Sequence, residues 1–121
     1  MSSYTTIYLV YGQELNPDLP NDALLIEQGD NLDSVWRNYC GPNNIELTEC
    51  PLDIYLSGTD GNLGYVIGLK TTMCEADLDG ATSLSTGCFT VDVYEHALIT
   101  NFLVGMDIEP DVKWQLFGVR L

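Results

Sequence analysis

Hydrophobic and polar positions along the chain follow two rhythms, one strand-like and one helical. Thr5-Thr6-Ile7-Tyr8-Leu9-Val10-Tyr11-Gly12 is a β-branched and aromatic run of the kind strands prefer. Pro17 and Pro20 break regular structure after it. Asn21-Asp22 supplies caps for a short helical turn over Ala23–Ile26, which Gly29 interrupts. A longer helix follows. Asp30 or Asn31 caps it, Leu32, Val35, Trp36 and Tyr39 recur at i, i+3, i+4 and i+7, and Gly41-Pro42 stops it.

Alternation returns in Ile45–Thr48 and in Leu52–Ser57. The cluster 58–62 reads as a turn, and 63–70 as the returning strand of a hairpin. Residues 71 to 90 form an irregular excursion, closing in a short strand at Cys88-Phe89-Thr90-Val91. A helix is predicted over 92–104 with Val91, Tyr94, Leu98 and Phe102 as its buried stripe and Asp92, Glu95 and His96 on the polar side. The last strand is predicted over 112–119. The whole is one α+β domain over 1–121. Its βαββαβ order predicts a ferredoxin-like antiparallel sheet with both helices on one face.

Three strands share one local form, in Val10-Tyr11-Gly12-Gln13-Glu14, Val66-Ile67-Gly68-Leu69-Lys70 and Leu116-Phe117-Gly118-Val119-Arg120. Side chains alternate faces along a strand. One face then carries Tyr8, Val10, Gly12, Glu14, Gly64, Val66, Gly68, Lys70, Trp114, Leu116, Gly118 and Arg120. The opposite face, with Ile7, Leu9, Tyr11, Leu63, Tyr65, Ile67, Leu69, Phe117 and Val119, is more continuously apolar and is placed under the helices. The first face is expected to be open. A glycine inside a strand marks close backbone approach or a bulge. The face reads either as a binding or self-association surface or as a place where glycines relieve twist.

Charge changes the picture. The chain has 121 residues, 18 acidic and 4 basic, for a net charge of −14. Hydrophobic content of 45% supplies a core, so this is not a disordered acidic tail. Nucleic-acid binding needs cations that displace counterions from phosphates, and anionic membranes need them too. Neither partner is expected. No 18-residue apolar run is present, nor a basic, apolar leader at Met1-Ser2-Ser3-Tyr4, so a cytoplasmic protein with reduced cysteines is expected. Cys40, Cys50, Cys74 and Cys88 lack paired zinc spacings and read as small apolar side chains.

Candidate chemistry is thin. Glu75-x-Asp77-x-Asp79-Gly80 opens like a calcium loop, but Thr86 stands where a bidentate Glu is needed. Asp92 and His96 lie at i, i+4, which would favour charged His96. No phosphate loop or dinucleotide fingerprint occurs. No catalytic, metal or cofactor site is assigned, and the chain is read as a non-enzyme. The acids are more informative. Glu75, Asp77 and Asp79 alternate, as do Asp107, Glu109 and Asp111. In extended chain this spaces them by about 6 to 7 Å, close to consecutive phosphates of a nucleic-acid strand. With Tyr8 and Trp114 as exposed aromatics, these residues are the expected partner-binding set.

The segments Tyr8-Leu9-Val10-Tyr11-Gly12, Gly61-Asn62-Leu63-Gly64-Tyr65-Val66-Ile67-Gly68 and Trp114-Gln115-Leu116-Phe117-Gly118 give the chain a resemblance to small acidic proteins of tailed bacteriophages. The resemblance implies a host-takeover or anti-defence protein in the host cytoplasm. Such a protein would occupy the basic nucleic-acid site of a defence protein. It carries no site residues over. The alternatives are a small-molecule or metal-binding regulatory domain, or a virion or assembly component that self-associates, for instance as a homodimer, through the open sheet face.

Overall fold

The computed structural model describes residues 4–59, 62–77 and 90–120. Eight elements follow in order. They are β1 (Tyr4–Leu15), α1 (Pro20–Glu27), α2 (Leu32–Cys40), β2 (Leu52–Thr59), β3 (Asn62–Leu69), β4 (Cys74–Asp77), α3 (Val93–Gly105) and β5 (Lys113–Arg120). Single 3-10 turns at Gly29–Asn31 and Lys70–Thr72 punctuate them. The α+β class is as expected. The sheet has five strands instead of four, in the order β3-β2-β5-β1-β4 with a further β3–β1 pairing.

β1 organises this sheet. Its residues from Tyr4 to Gly12 pair antiparallel with β5. On its other edge Thr6–Leu9 pair with β4 and Gly12–Leu15 with β3. β3 and β4 are thus successive partners on one side of β1, separated by the Lys70–Thr72 turn. Thr72 repairs the gap in the ladder. Its buried hydroxyl accepts from the Tyr11 N–H at 3.0 Å and donates to the Leu69 carbonyl at 2.8 Å. The expected excursion therefore begins as ordered sheet. Residues 78–89, including Asp79 and half of the expected 88–91 strand, lie outside the described residues, and Thr90 and Val91 are not in a strand.

β2 completes the expected hairpin with β3 over Leu52–Thr59 and Asn62–Leu69. A bridge between Gly58 and Val119 then brings β2 to β5 and closes the strands into a ring. Ile45–Thr48 is not a strand. The Ile45 N–H is bonded to the Cys40 carbonyl behind α2, and no neighbouring strand pairs with this exposed segment.

All three helices cover one face, as expected. Leu25 of α1, Leu32, Trp36, Tyr39 and Cys40 of α2, and Ile99, Phe102 and Leu103 of α3 form one cluster with Leu15, Leu52, Ile67 and Leu69. Trp36, Tyr39 and Phe102 pack ring against ring at 5.2 to 5.9 Å. Burial raises the Cys40 and Cys50 thiol pKa values above the ordinary range, and the Cys50 thiol faces the Leu52 carbonyl, so both act as core side chains. The expected α3 stripe holds at Phe102, with Val91 and Leu98 half-buried against the core, and fails at Tyr94. Ile99, Phe102 and Leu103 point inward, while Tyr94 is 87% exposed. Apolar residues fall on both the inner and outer sides of the helix, so periodicity did not place Tyr94 correctly.

The face expected to be open is enclosed. Val10 is fully buried and Val66 nearly so, although both lie opposite the helices. The ring of strands curls over them. Tyr8 stacks on Phe117 at 5.6 Å, and Tyr55 meets Phe117 from β2 at 6.2 Å. The glycines permit this curl. A Cβ on Gly12 would sit 2.0 Å from the Ile67 carbonyl oxygen, and one on Gly68 2.6 Å from Val10 Cγ2. Twist relief, rather than an open binding face, is what these glycines provide.

β5 also presents the other side from that expected. Tyr8 pairs with Phe117 and Tyr11 with Trp114, so Phe117 belongs to the enclosed face and Trp114 and Leu116 to the helix side. A one-residue difference in register exchanges every side chain between faces.

Two outcomes follow. Gly12→Ala should lower stability by about 3 kcal/mol in a denaturant titration, the upper end of ordinary overpacking. Gly29→Ala, whose Cβ would meet only Ile54 Cδ1 at 3.6 Å, should change it by less than about 0.5 kcal/mol. Burial pushes the Tyr55 phenol up to about 12, with Asp53 adding to the shift. The folded state then holds this proton after the unfolded chain, at about 10, has lost it. Stability from this group is complete below pH 10 and is lost as pH rises through 12. Tyr55→Phe should flatten that alkaline decline, read from unfolding midpoints between pH 9 and 12.

Candidate acidic cleft

The strongest gathering of charged side chains lies at the C-terminal end of β1. The chain leaves β1 at Leu15 and turns through 16–19. The Asp18 N–H donates to Asn16 Oδ1 at 2.9 Å, and the Asn16 N–H donates to Asp22 Oδ2 at 2.8 Å. Asp22 sits in the first turn of α1, where its charge suits the helix dipole, and it is 6% exposed. Pro20 starts that helix with its ring already at a helical φ.

The connector from α3 to β5 lies alongside. Ile108 and Val112 turn into the helix-side core, so Asp107, Glu109 and Asp111 point outward. The expected alternation is therefore real. Asp107 turns the backbone at a φ of 62°, a region Asn and Asp tolerate better than most side chains. Gln13 ties the connector to β1. It is 7% exposed, its Nε2 donates to the Glu109 carbonyl at 2.9 Å, and its Oε1 accepts from the Asp111 N–H. Asn21 Nδ2 adds a bond to the Asp107 carbonyl at 3.0 Å.

Two adjoining depressions result, of about 400 and 470 Å³. Both are lined by Gln13, Glu14, Asn16 and Asp111. The larger adds Asp22 and Glu109, the smaller Gly64, Lys113 and Gln115. Of the lining acids Glu14, Glu109 and Asp111 are exposed; Asp18 and Asp107 are exposed on the adjoining turns and line neither depression. The cation here, Lys113, pairs with Asp111 at 3.7 Å with both side chains largely exposed. Such a pair is worth at most about 1 kcal/mol and leaves the cleft acidic. Among the described residues no group of three His, Cys, Asp or Glu could hold a metal ion.

The expected partner-binding residues do not form one surface. Glu109 and Asp111 share the cleft lining with Glu14 and Asp22, which the alternating pattern did not single out. Their signal was the pairing of turn-forming Asn16-Pro17-Asp18 with an acidic strand end. Glu75 is exposed on β4 opposite Tyr8, five residues back along β1 from Gln13, about 17 Å at strand rise. Asp77 ends β4. Tyr8 is half-buried on the enclosed face, stacked on Phe117. Trp114 is half-buried on the helix side, edge-on to Tyr11 at 5.2 Å. The two aromatics thus lie on opposite faces of the sheet. Asp92 does not serve His96 either. Its side chain caps α3 by accepting from the Glu95 N–H, and His96 Nδ1 is instead hydrogen-bonded to the Tyr11 hydroxyl at 2.8 Å.

Gln13→Ala should detach the connector, leaving the Glu109 carbonyl and Asp111 N–H without their partner. The expected cost is about 1 to 3 kcal/mol by denaturant unfolding. Amide exchange at Asp111 should rise well before global unfolding. No helix among the described residues is long and apolar enough to cross a membrane. Compared with known proteins, the chain matches no family model, no curated protein and no solved structure.

Proposed function

We propose that this chain is an acidic protein-binding module that occupies the basic, nucleic-acid-handling surface of a partner, acting as an inhibitor by standing in for a phosphate backbone. The observation that carries this reading is the convergence of exposed Glu14, Glu109 and Asp111 and buried Asp22 on the lining of one cleft, where Lys113 is the one cation among the described residues. Glu109 and Asp111 stand two residues apart on a connector held by the bonds to Gln13 and Asn21, while Asp107 lies at the turn that precedes it. A preorganised row loses less entropy on binding than a mobile tail.

The fold reading that goes with this is ferredoxin-like. The antiparallel contacts β5–β1, β1–β3 and β3–β2 follow that succession, with β4 prolonging β3 and the β2–β5 bridge as an addition. The phage-type, anti-defence setting in a host cytoplasm fits an acidic module of this kind. Self-association through an open sheet face is not carried forward, because Val10, Val66 and Tyr8 are turned into the ring of strands.

The test is capture with the immobilised chain at 50 and 300 mM salt, with duplex DNA as competitor. Captured proteins should be nucleic-acid-binding, should be released by salt, and should be displaced by DNA. The combined variant Glu14→Gln, Asp107→Asn, Glu109→Gln and Asp111→Asn should slow association about tenfold and change dissociation little. Capture indifferent to salt, to DNA and to these substitutions would overturn the reading.

A further inference from the structure

A second surface lies on the helix side, away from the cleft. α3 buries Ile99, Phe102 and Leu103, yet its outer side is also apolar. Tyr94, Ala97, Leu98 and Asn101 fall at i, i+3, i+4 and i+7 and line one bank of an open groove of about 300 Å³. Trp36 and Tyr39 of α2 form the floor and Ile45 the far bank. The floor is stiff, since both rings are locked against Phe102. Val93 and Tyr94 are 83% and 87% exposed, and Leu47 extends the apolar surface beyond Ile45. Exposed apolar surface gathered in this way marks an interaction site more often than scattered single residues do.

Charge selects the occupant. Glu95 lines the groove, and exposed Glu46, Glu49 and Asp92 lie on the segments that carry Ile45 and Tyr94. A second copy would bring another net −14, and its own Glu46 and Glu95, against the same patch. A cationic segment meets the opposite field. We infer that the groove between α2 and α3 seats an amphipathic helix of a basic partner, its apolar side chains entering between Tyr94, Leu98 and Ile45 and its Lys or Arg residues meeting the acidic rim. This deepens the proposed function and rests on it, naming a second contact on the same kind of partner. Helix-in-groove recognition of this type places anchors at i, i+3 and i+4. Tyr94 and Asp107 stand about 20 Å apart at helical rise along α3, so groove and cleft can be altered separately.

The experiment uses two fluorescein-labelled 18-residue synthetic helices with the same leucine stripe, one with lysine and one with glutamate on the polar side, titrated into the full chain at 50 mM salt. The lysine helix should bind and the glutamate helix should not. Tyr94→Ala, at a site too exposed to affect folding, and Ala97→Arg, which fills the groove, should each weaken binding at least about tenfold. The four-residue cleft neutralisation should weaken it less than about threefold. Equal binding of both helices, or lysine-helix binding that ignores the groove variants, would overturn the inference. If that binding instead falls with cleft neutralisation, the module reading stands without the groove. If the lysine helix does not bind at 50 mM salt, both fall. A dimer in sedimentation that Tyr94→Ala dissolves would assign the groove to a second copy and overturn the inference.

Discussion

The structure depends on the crossing of β1 and β3 at Gly12 and Gly68. These two residues face each other in the ladder, and neither site has room for a Cβ against the opposing strand. Because the backbones approach so closely, β1 can leave one set of partners and take up another within a few residues. Up to Gly12 it belongs to β5 and β4, and beyond it to β3. The resulting coil brings β2 round to β5 and buries Val10 and Val66 in a second, smaller core, with Phe117 half-buried at its edge. Side chains at those two positions would hold the strands apart and expose the face they now enclose.

The same crossing determines what the end of β1 can do. Gln13, next to Gly12, points to the helix side and meets the connector, while Glu14 points to the other face and into the cleft. Connector and strand are thereby fixed to each other by side-chain bonds, with Ile108 buried beneath. Glu109 and Asp111 stand on backbone that is hydrogen-bonded on its inner side. The placement of the acids follows from core packing and not from any attraction among themselves.

Much of this was legible in local patterns. β1, α2, the β2–β3 hairpin, α3 and β5 each announced themselves by period or capping, and the alternation at 107–111 was correctly outward. Orientation was harder wherever both sides of an element are apolar. α3 carries Tyr94 and Val93 outward as well as Ile99 and Phe102 inward, so its apolar residues alone do not mark the buried side. β5 places Trp114 and Leu116 on one face and Phe117 on the other, and only the pairing of Phe117 with Tyr8 decides between them. β4 is short and partly charged, and it is a strand because the edge of β1 is there to pair with it. Enclosure of the glycine-bearing face, and the meeting of residues 14–22 with 107–111, are long-range events that no local window contains.

The acidic balance then acquires a physical meaning beyond solubility. Acids dispersed evenly would keep a small domain soluble with little mutual repulsion. Here Glu14, Asp22, Glu109 and Asp111 line one cleft, where like charges oppose the compact state. The folded chain tolerates this because the apolar core, to which Leu15 and Ile108 in the cleft wall belong, supports it from beneath, and because Gln13 and Asn21 hold the connector through uncharged bonds. A partner that brings cations into the cleft would remove the repulsion and gain the attraction at once. Its binding would then be favoured by the arrangement that burdens the free protein. Concentrating charge in this way is more than solubility requires, and it is the arrangement that the proposed binding of a basic counterpart would use.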